Sequence, residues 1–191
     1  MRARDNPFNT DSVLGVRYRL RGPTWEELLA RMEEMGYRAA IVGPHGSGKT
    51  TLLEDLEPRL AALGFSIIRL RLDAETRSFD RKFLKSLFRT LSERDVLLFD
   101  GAEQMSRLAW LIFKRRTKRA AGLIVTSHDR RRLPTLIECR TSPELLHEII
   151  VELTGDEAGA RSAVAATLHA KHRGNLRDAL REMYDVYSER Y

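Results

Sequence analysis

The sequence has a single cysteine, Cys139, among 191 residues. No internal disulfide is possible, and a thiol-rich metal centre is excluded. No run of about 20 apolar residues occurs, so no stretch has the length and character of a membrane-spanning helix. The opening, Met1-Arg2-Ala3-Arg4-Asp5-Asn6-Pro7-Phe8, lacks the apolar core of a secretory signal. The expectation is a cytoplasmic protein with no membrane partner. Aromatics are sparse at 7%, and no internal repeat or low-complexity linker breaks the chain. Charge of one sign is lacking too: 33 basic residues against 27 acidic ones leave a net charge of only +6. That excess permits a polyanionic partner but argues for DNA only weakly. The basic residues do gather, at Lys114-Arg115-Arg116-Thr117-Lys118-Arg119 and at Arg130-Arg131-Arg132.

What is present is an alternation of short apolar runs and amphipathic stretches, in a chain long enough to bury about 70% of its unfolded surface. Residues 1–22 are polar without a steady period and read as an N-terminal segment. Thr24, with Glu27 in capping-box register, starts a helix that Gly36 ends. Ala39-Ala40-Ile41-Val42 then reads as a strand, followed by a glycine-rich loop and a helix to about Leu63. Phe65 to Leu72 reads as a second strand, Phe79 to Leu91 as a helix and Val96-Leu97-Leu98-Phe99 as a third strand ending at Asp100. A helix over about 104–119, a strand at Gly122 to Thr126 and a fifth at Thr135 to Cys139 complete the series. Apolar strands joined by helices imply parallel pairing, because each crossover covers a face of the sheet. Beyond Pro143 the pattern is helical, over about 143–154, 157–171 and 175–189. The expected organisation is an α/β domain over 1–141 and a small helical lid over 142–191.

Gly43-Pro44-His45-Gly46-Ser47-Gly48-Lys49-Thr50 fits the phosphate-binding pattern GxxxxGK followed by Ser or Thr, with a strand before it and a helix after it. Its glycines free backbone N–H groups to curl around phosphate, and the first helical turn adds unpaired donors and a positive dipole end. Lys49 is expected at the β and γ phosphates of ATP, Thr50 on magnesium through its hydroxyl, and Thr51 on the α-phosphate side. His45 occupies a variable loop position and is assigned no chemistry. Asp100 ends an apolar strand at the sheet edge where open α/β sheets bind ligands, which suits a second magnesium contact. Many ATPases of this kind place a Glu directly after that Asp; here the position is Gly101, and the nearest acid is Glu103. Glu103 either approaches the attacking water or begins the next helix, with Asp73 and Glu75 as weaker alternatives. Thr126 and Ser127 end the fourth strand and are suited to sensing a γ phosphate. Gly174-Asn175-Leu176-Arg177 reads as a helix start whose Arg opposes its own dipole, which favours an outward role for Arg177.

Together GPHGSGKT at 43–50, LLFDGAEQ at 97–104, IVTSH at 124–128, GNLR at 174–177 and Asn6-Pro7-Phe8 resemble the AAA-type ATPases. The likeness is strongest to the small bacterial helper ATPases of transposition and secretion and to the initiator-like branch. The resemblance implies a P-loop NTPase three-layer fold with a five-stranded, mainly parallel sheet and a C-terminal lid. It also implies Thr126 or Ser127 as sensor one, Arg177 as sensor two, and the segment around Asn6 to Phe8 beside the adenine. An arginine finger would be sought among Arg130, Arg131, Arg132 and Arg140. The implied function is a slow ATPase or ATP-dependent switch, with a protein partner or self-association. A small-molecule kinase and a non-hydrolysing ATP-binding module acting on protein or DNA are the alternatives.

Overall fold

Each of the five apolar runs forms a strand in the computed structural model, which describes residues 2–155 and 160–190. In chain order the elements are α1 (Thr10–Gly15), α2 (Trp25–Glu34), β1 (Arg38–Val42), α3 (Lys49–Ala62) and β2 (Ser66–Arg71). Then come α4 (Arg81–Thr90), β3 (Asp95–Asp100), α5 (Arg107–Arg116), β4 (Gly122–Ser127) and β5 (Thr135–Glu138). The last three are α6 (Pro143–Thr154), α7 (Ala160–Lys171) and α8 (Leu176–Arg190). The expected start of α7 at 157 lies outside the described residues.

The chain divides into two compact units, each with its own core. The first holds Arg19–Gly43 and Lys49–Glu138 and contains the whole sheet, in the order β2-β3-β4-β1-β5. All of its pairings are parallel, more uniform than the mainly parallel sheet expected. Central strands β1, β3 and β4 are buried almost throughout, since crossover helices cover both faces, and their middle residues are accordingly apolar. On one face α3 buries Leu52, Leu56 and Leu60 completely. Elsewhere in the unit an aromatic cluster of Phe79, Phe88, Phe99, Trp110 and Phe113 packs with α4 and α5 against the sheet. Phe99 and Phe113 sit 5.3 Å apart between ring centroids. Burying one such side chain contributes about 1.5–3 kcal/mol. The capping box of α2 is formed, with Thr24 and Glu27 each accepting the other's backbone N–H.

The long helix expected over 104–119 is broken. Ala102–Gln104 and Thr117–Arg119 are single 3-10 turns, leaving α5 with ten residues, so its rise is about 15 Å rather than 24 Å. Ser106 sets the start by accepting from Ala109 N–H as an N-cap, and Thr117 ends the helix with its hydroxyl turned back onto the Phe113 carbonyl.

The second unit joins Met1–Tyr18, Pro44–Gly48 and Cys139–Tyr191. Helices α6 and α8 bury Leu146, Ile150 and Ala179. Phe8, from the polar N-terminal segment, is buried with them and meets Tyr187 edge to face. Asn6 secures it: its amide donates to the Tyr184 carbonyl and Ser188 Oγ while its Oδ1 accepts from Phe8 N–H. The short α1 has an Asn9 cap and no buried residue, which is why periodicity does not reveal it. Cys139 is buried beside Tyr18, whose hydroxyl is pushed well above its ordinary range by burial and, next, by Cys139.

Candidate functional site

Three side chains that the sequence places far apart meet at the C-terminal end of β3. Thr50, in the first turn of α3, donates its hydroxyl to Asp100 Oδ2 at 3.0 Å. Thr126, near the end of β4, donates to Asp100 Oδ1 at 2.6 Å. The same Thr126 oxygen accepts from Gly101 N–H at 2.8 Å, and Thr126 is 1% exposed. Sheet order makes this possible, because β3 and β4 are neighbours and α3 follows β1 directly. Each carboxylate oxygen of Asp100 is thus aimed by one hydroxyl. Lys49, at the start of α3, is buried although it carries a charge, and Thr51 follows it half-buried.

Gly101 is a backbone necessity. Its φ is +84°, and a Cβ there would lie 2.0 Å from the Leu72 carbonyl oxygen. No acid can follow Asp100 in this backbone. The next acid, Glu103, sits in the 3-10 turn with Oε1 at 3.0 Å from His128 Nε2, and its Oε2 is buried with no hydrogen-bond partner among the described residues. The other nitrogen of His128 lies 3.0 Å from the carbonyl of Gly43, the first loop residue. Sequence reasoning missed this pair, since Glu103 and His128 come together only once β3 and β4 are known to be adjacent. Asp73 is engaged elsewhere: the backbone N–H groups of Thr76 and, next, Glu75 hold its carboxyl below the usual range. The arginine-finger candidates in this unit are paired within the chain. Arg130 meets Glu138, Arg131 meets Asp129, and Arg132 donates to the carbonyls of Glu103 and Met105.

In the helical unit, the loop crown Pro44–Gly48 holds its shape by two left-handed glycines, Gly46 at φ +67° and Gly48 at +83°. Ser47 is buried and donates to the Pro44 carbonyl, while His45 is exposed. The start of α8 rests on the crown: Leu176 N–H donates to the Gly46 carbonyl, and a Cβ at Gly46 would lie 1.8 Å from Asn175 Oδ1. Asn175 also accepts from Asp178 N–H as the cap of α8, and Arg177 is exposed in the first turn. The Asn cap was legible in the sequence; its seat against Gly46 was not. Arg140 is exposed in this unit.

Thr50 and Asp100 are oxygen donors of the kind a magnesium ion takes. A cleft of about 180 Å³ beside them is also lined by Glu54, Glu57, Arg69 and Arg71. Among the described residues no group of three or more His, Cys, Asp or Glu forms a metal cage.

No protein-family profile matches this sequence. Comparison with curated proteins also finds no match. Among solved structures the chain is similar to the Thermotoga maritima RuvB Holliday junction branch migration motor, with a TM-score of 0.56 and 19% identity. Two point variants of that protein match with the same TM-score, at 17% and 19% identity. The likeness is one of fold. It covers 85–86% of this chain and 60–62% of the neighbours, so the chain spans about three-fifths of their length. Among the described residues no helix is long and apolar enough to cross a membrane.

Proposed function

We propose that the chain binds ATP with magnesium through Gly43 to Thr50 and acts as a slow ATPase or ATP-dependent switch of the AAA type. The observation that carries this reading is the triangle of Thr50, Asp100 and Thr126. A phosphate-loop hydroxyl and a strand-end hydroxyl orient the two oxygens of one carboxylate, at the edge where open α/β sheets take ligands. In this reading Lys49 neutralises the β and γ phosphates, while Thr50 and Asp100 hold the ion, which lowers the charge on the phosphates when bound. Thr126 reports on the γ phosphate through the hydroxyl that now serves Asp100. Arg177 is the sensor contributed by the lid.

Turnover is slow because Gly101 cannot be an acid. Glu103 takes that role: its carboxylate, one oxygen of which is now buried, turns to accept the proton of the attacking water as the water oxygen bonds to the γ phosphorus and the bond to ADP breaks. Incubation with γ-labelled ATP and magnesium tests the reading. Slow release of free phosphate, abolished in Asp100→Asn, is expected. Label appearing on an added metabolite would assign the chain to the small-molecule kinases, and tight ATP binding without any release would leave a binding module.

A further inference from the structure

One face of the sheet is covered by helices whose charge has a single sign. The steps from β2 to β3 and from β3 to β4 run the same way across the sheet, so right-handed crossovers put α4 and α5 on the same side. Phe88 of α4 and Phe113 of α5 meet there at 5.7 Å. Between Arg81 and Leu91, and again between Met105 and Ala121, the sequence holds ten Lys and Arg and no Asp or Glu. All ten are exposed, and among the described residues none has a side-chain partner. Cations elsewhere in this unit do find acids, as Arg130 finds Glu138.

The helix dipole accounts for the basic end of α5 but not for α4, where Arg81 and Lys82 occupy the first turn and oppose it. α5 is apolar on its outer face as well as its inner one. Trp110 and Phe113 face the sheet, while Leu108, Leu111 and Ile112, at i, i+3 and i+4, are 69%, 62% and 53% exposed. These are three of the seven large hydrophobics exposed among the described residues. Scattered single leucines need no explanation, but three on one helix face, with Arg107, Lys114, Arg115 and Arg116 spaced beside them on the same helix, have the make-up of an interface that is apolar at the centre and charged at the rim.

We propose that the α4–α5 face docks an acidic amphipathic helix of a partner protein. Its apolar stripe would cover Leu108, Leu111 and Ile112, and its carboxylates would face the cations of α4 and the end of α5. Helical spacing on this side calls for the same spacing on the partner. A bare polyanion would engage the cations and leave the stripe in water, so the observations favour protein over nucleic acid.

The test titrates the full chain into a fluorescent synthetic helix of about 20 residues, with Leu at i, i+3, i+4 and i+7 and Glu on the flanks. Binding is expected at least roughly tenfold tighter than to a peptide of the same composition with its apolar stripe scrambled. A similar loss is expected in Leu111→Ser with Ile112→Ser, and independently in Lys82→Glu with Lys85→Glu, with thermal unfolding unchanged in both. Equal binding of the ordered and scrambled peptides overturns the proposal. So does tight binding of a DNA duplex that the Lys82 and Lys85 pair abolishes and the Leu111 and Ile112 pair leaves intact, which assigns the face to nucleic acid. Sedimentation of the wild type as a dimer that the Leu111 and Ile112 pair converts to monomer overturns it as well, in favour of a second copy.

Discussion

Replacing Gly101 by alanine tests whether the backbone, rather than chemistry, excludes an acid after Asp100. The residue sits at φ +84°, where a Cβ costs about 1–2 kcal/mol. The added carbon would also stand 2.0 Å from the Leu72 oxygen and 3.0 Å from its carbonyl carbon, both backbone atoms that no rotamer change can move. Relief requires the ends of β2 and β3 to part by about 1 Å. That strains the bond from Leu72 N–H to the Asp100 carbonyl, now 2.9 Å, worth about 0.5–1.5 kcal/mol. With overpacking strain of about 1–3 kcal/mol, the expected loss is at least about 2.5 kcal/mol. Urea denaturation of Gly101→Ala against wild type measures it. Gly101→Glu should lose as much and gain no turnover. A stability for Gly101→Ala within about 0.5 kcal/mol of wild type would refute the reasoning, because the space and conformation described at this turn could not then be right.

Thr126→Val keeps the shape of the buried side chain but leaves Gly101 N–H without its acceptor and Asp100 Oδ1 without its donor. A loss of about 1–3 kcal/mol is expected in denaturant, with Thr126→Ser restoring most of it. Asn6→Ala removes the two hydrogen bonds that tie the N-terminal segment to α8, and a third, from Phe8 N–H, that shapes the segment itself. Faster proteolytic cleavage before Tyr18, at unchanged cleavage elsewhere, is the expected readout. Glu182 accepts from Lys171 and His172, and these partners, Lys171 first, hold its carboxyl below the usual carboxylate range. A depressed carboxylate contributes stability that is present above its unfolded value and lost as pH falls through the folded one. The stability difference between wild type and Glu182→Gln should therefore be seen at neutral pH and vanish in acid.

The sheet was legible because its strands are short apolar runs that only burial on both faces explains, as in Val96 to Phe99. The loop at 43–50 was legible because its pattern is local and its neighbours have the right type. The ends of α5 were not. Its basic and apolar residues continue a helical period across Thr117, and the breaks depend on side chains that bond the backbone instead, Ser106 at the start and Thr117 at the end. Glu103 stood out as the nearest acid, but its partner did not, since 25 residues separate it from His128 and only strand order joins them. The place of Phe8 in the helical core was hidden for a similar reason: a single aromatic in a polar segment has no period, and its burial depends on contacts with α8.

Calorimetric titration of ATP with magnesium into the wild-type chain and into Lys49→Ala tests the central claim most directly. The account predicts a saturable heat for wild type and none for the variant, with both proteins unfolding at similar denaturant concentrations. Undiminished affinity in Lys49→Ala, or no heat in either protein, would contradict it.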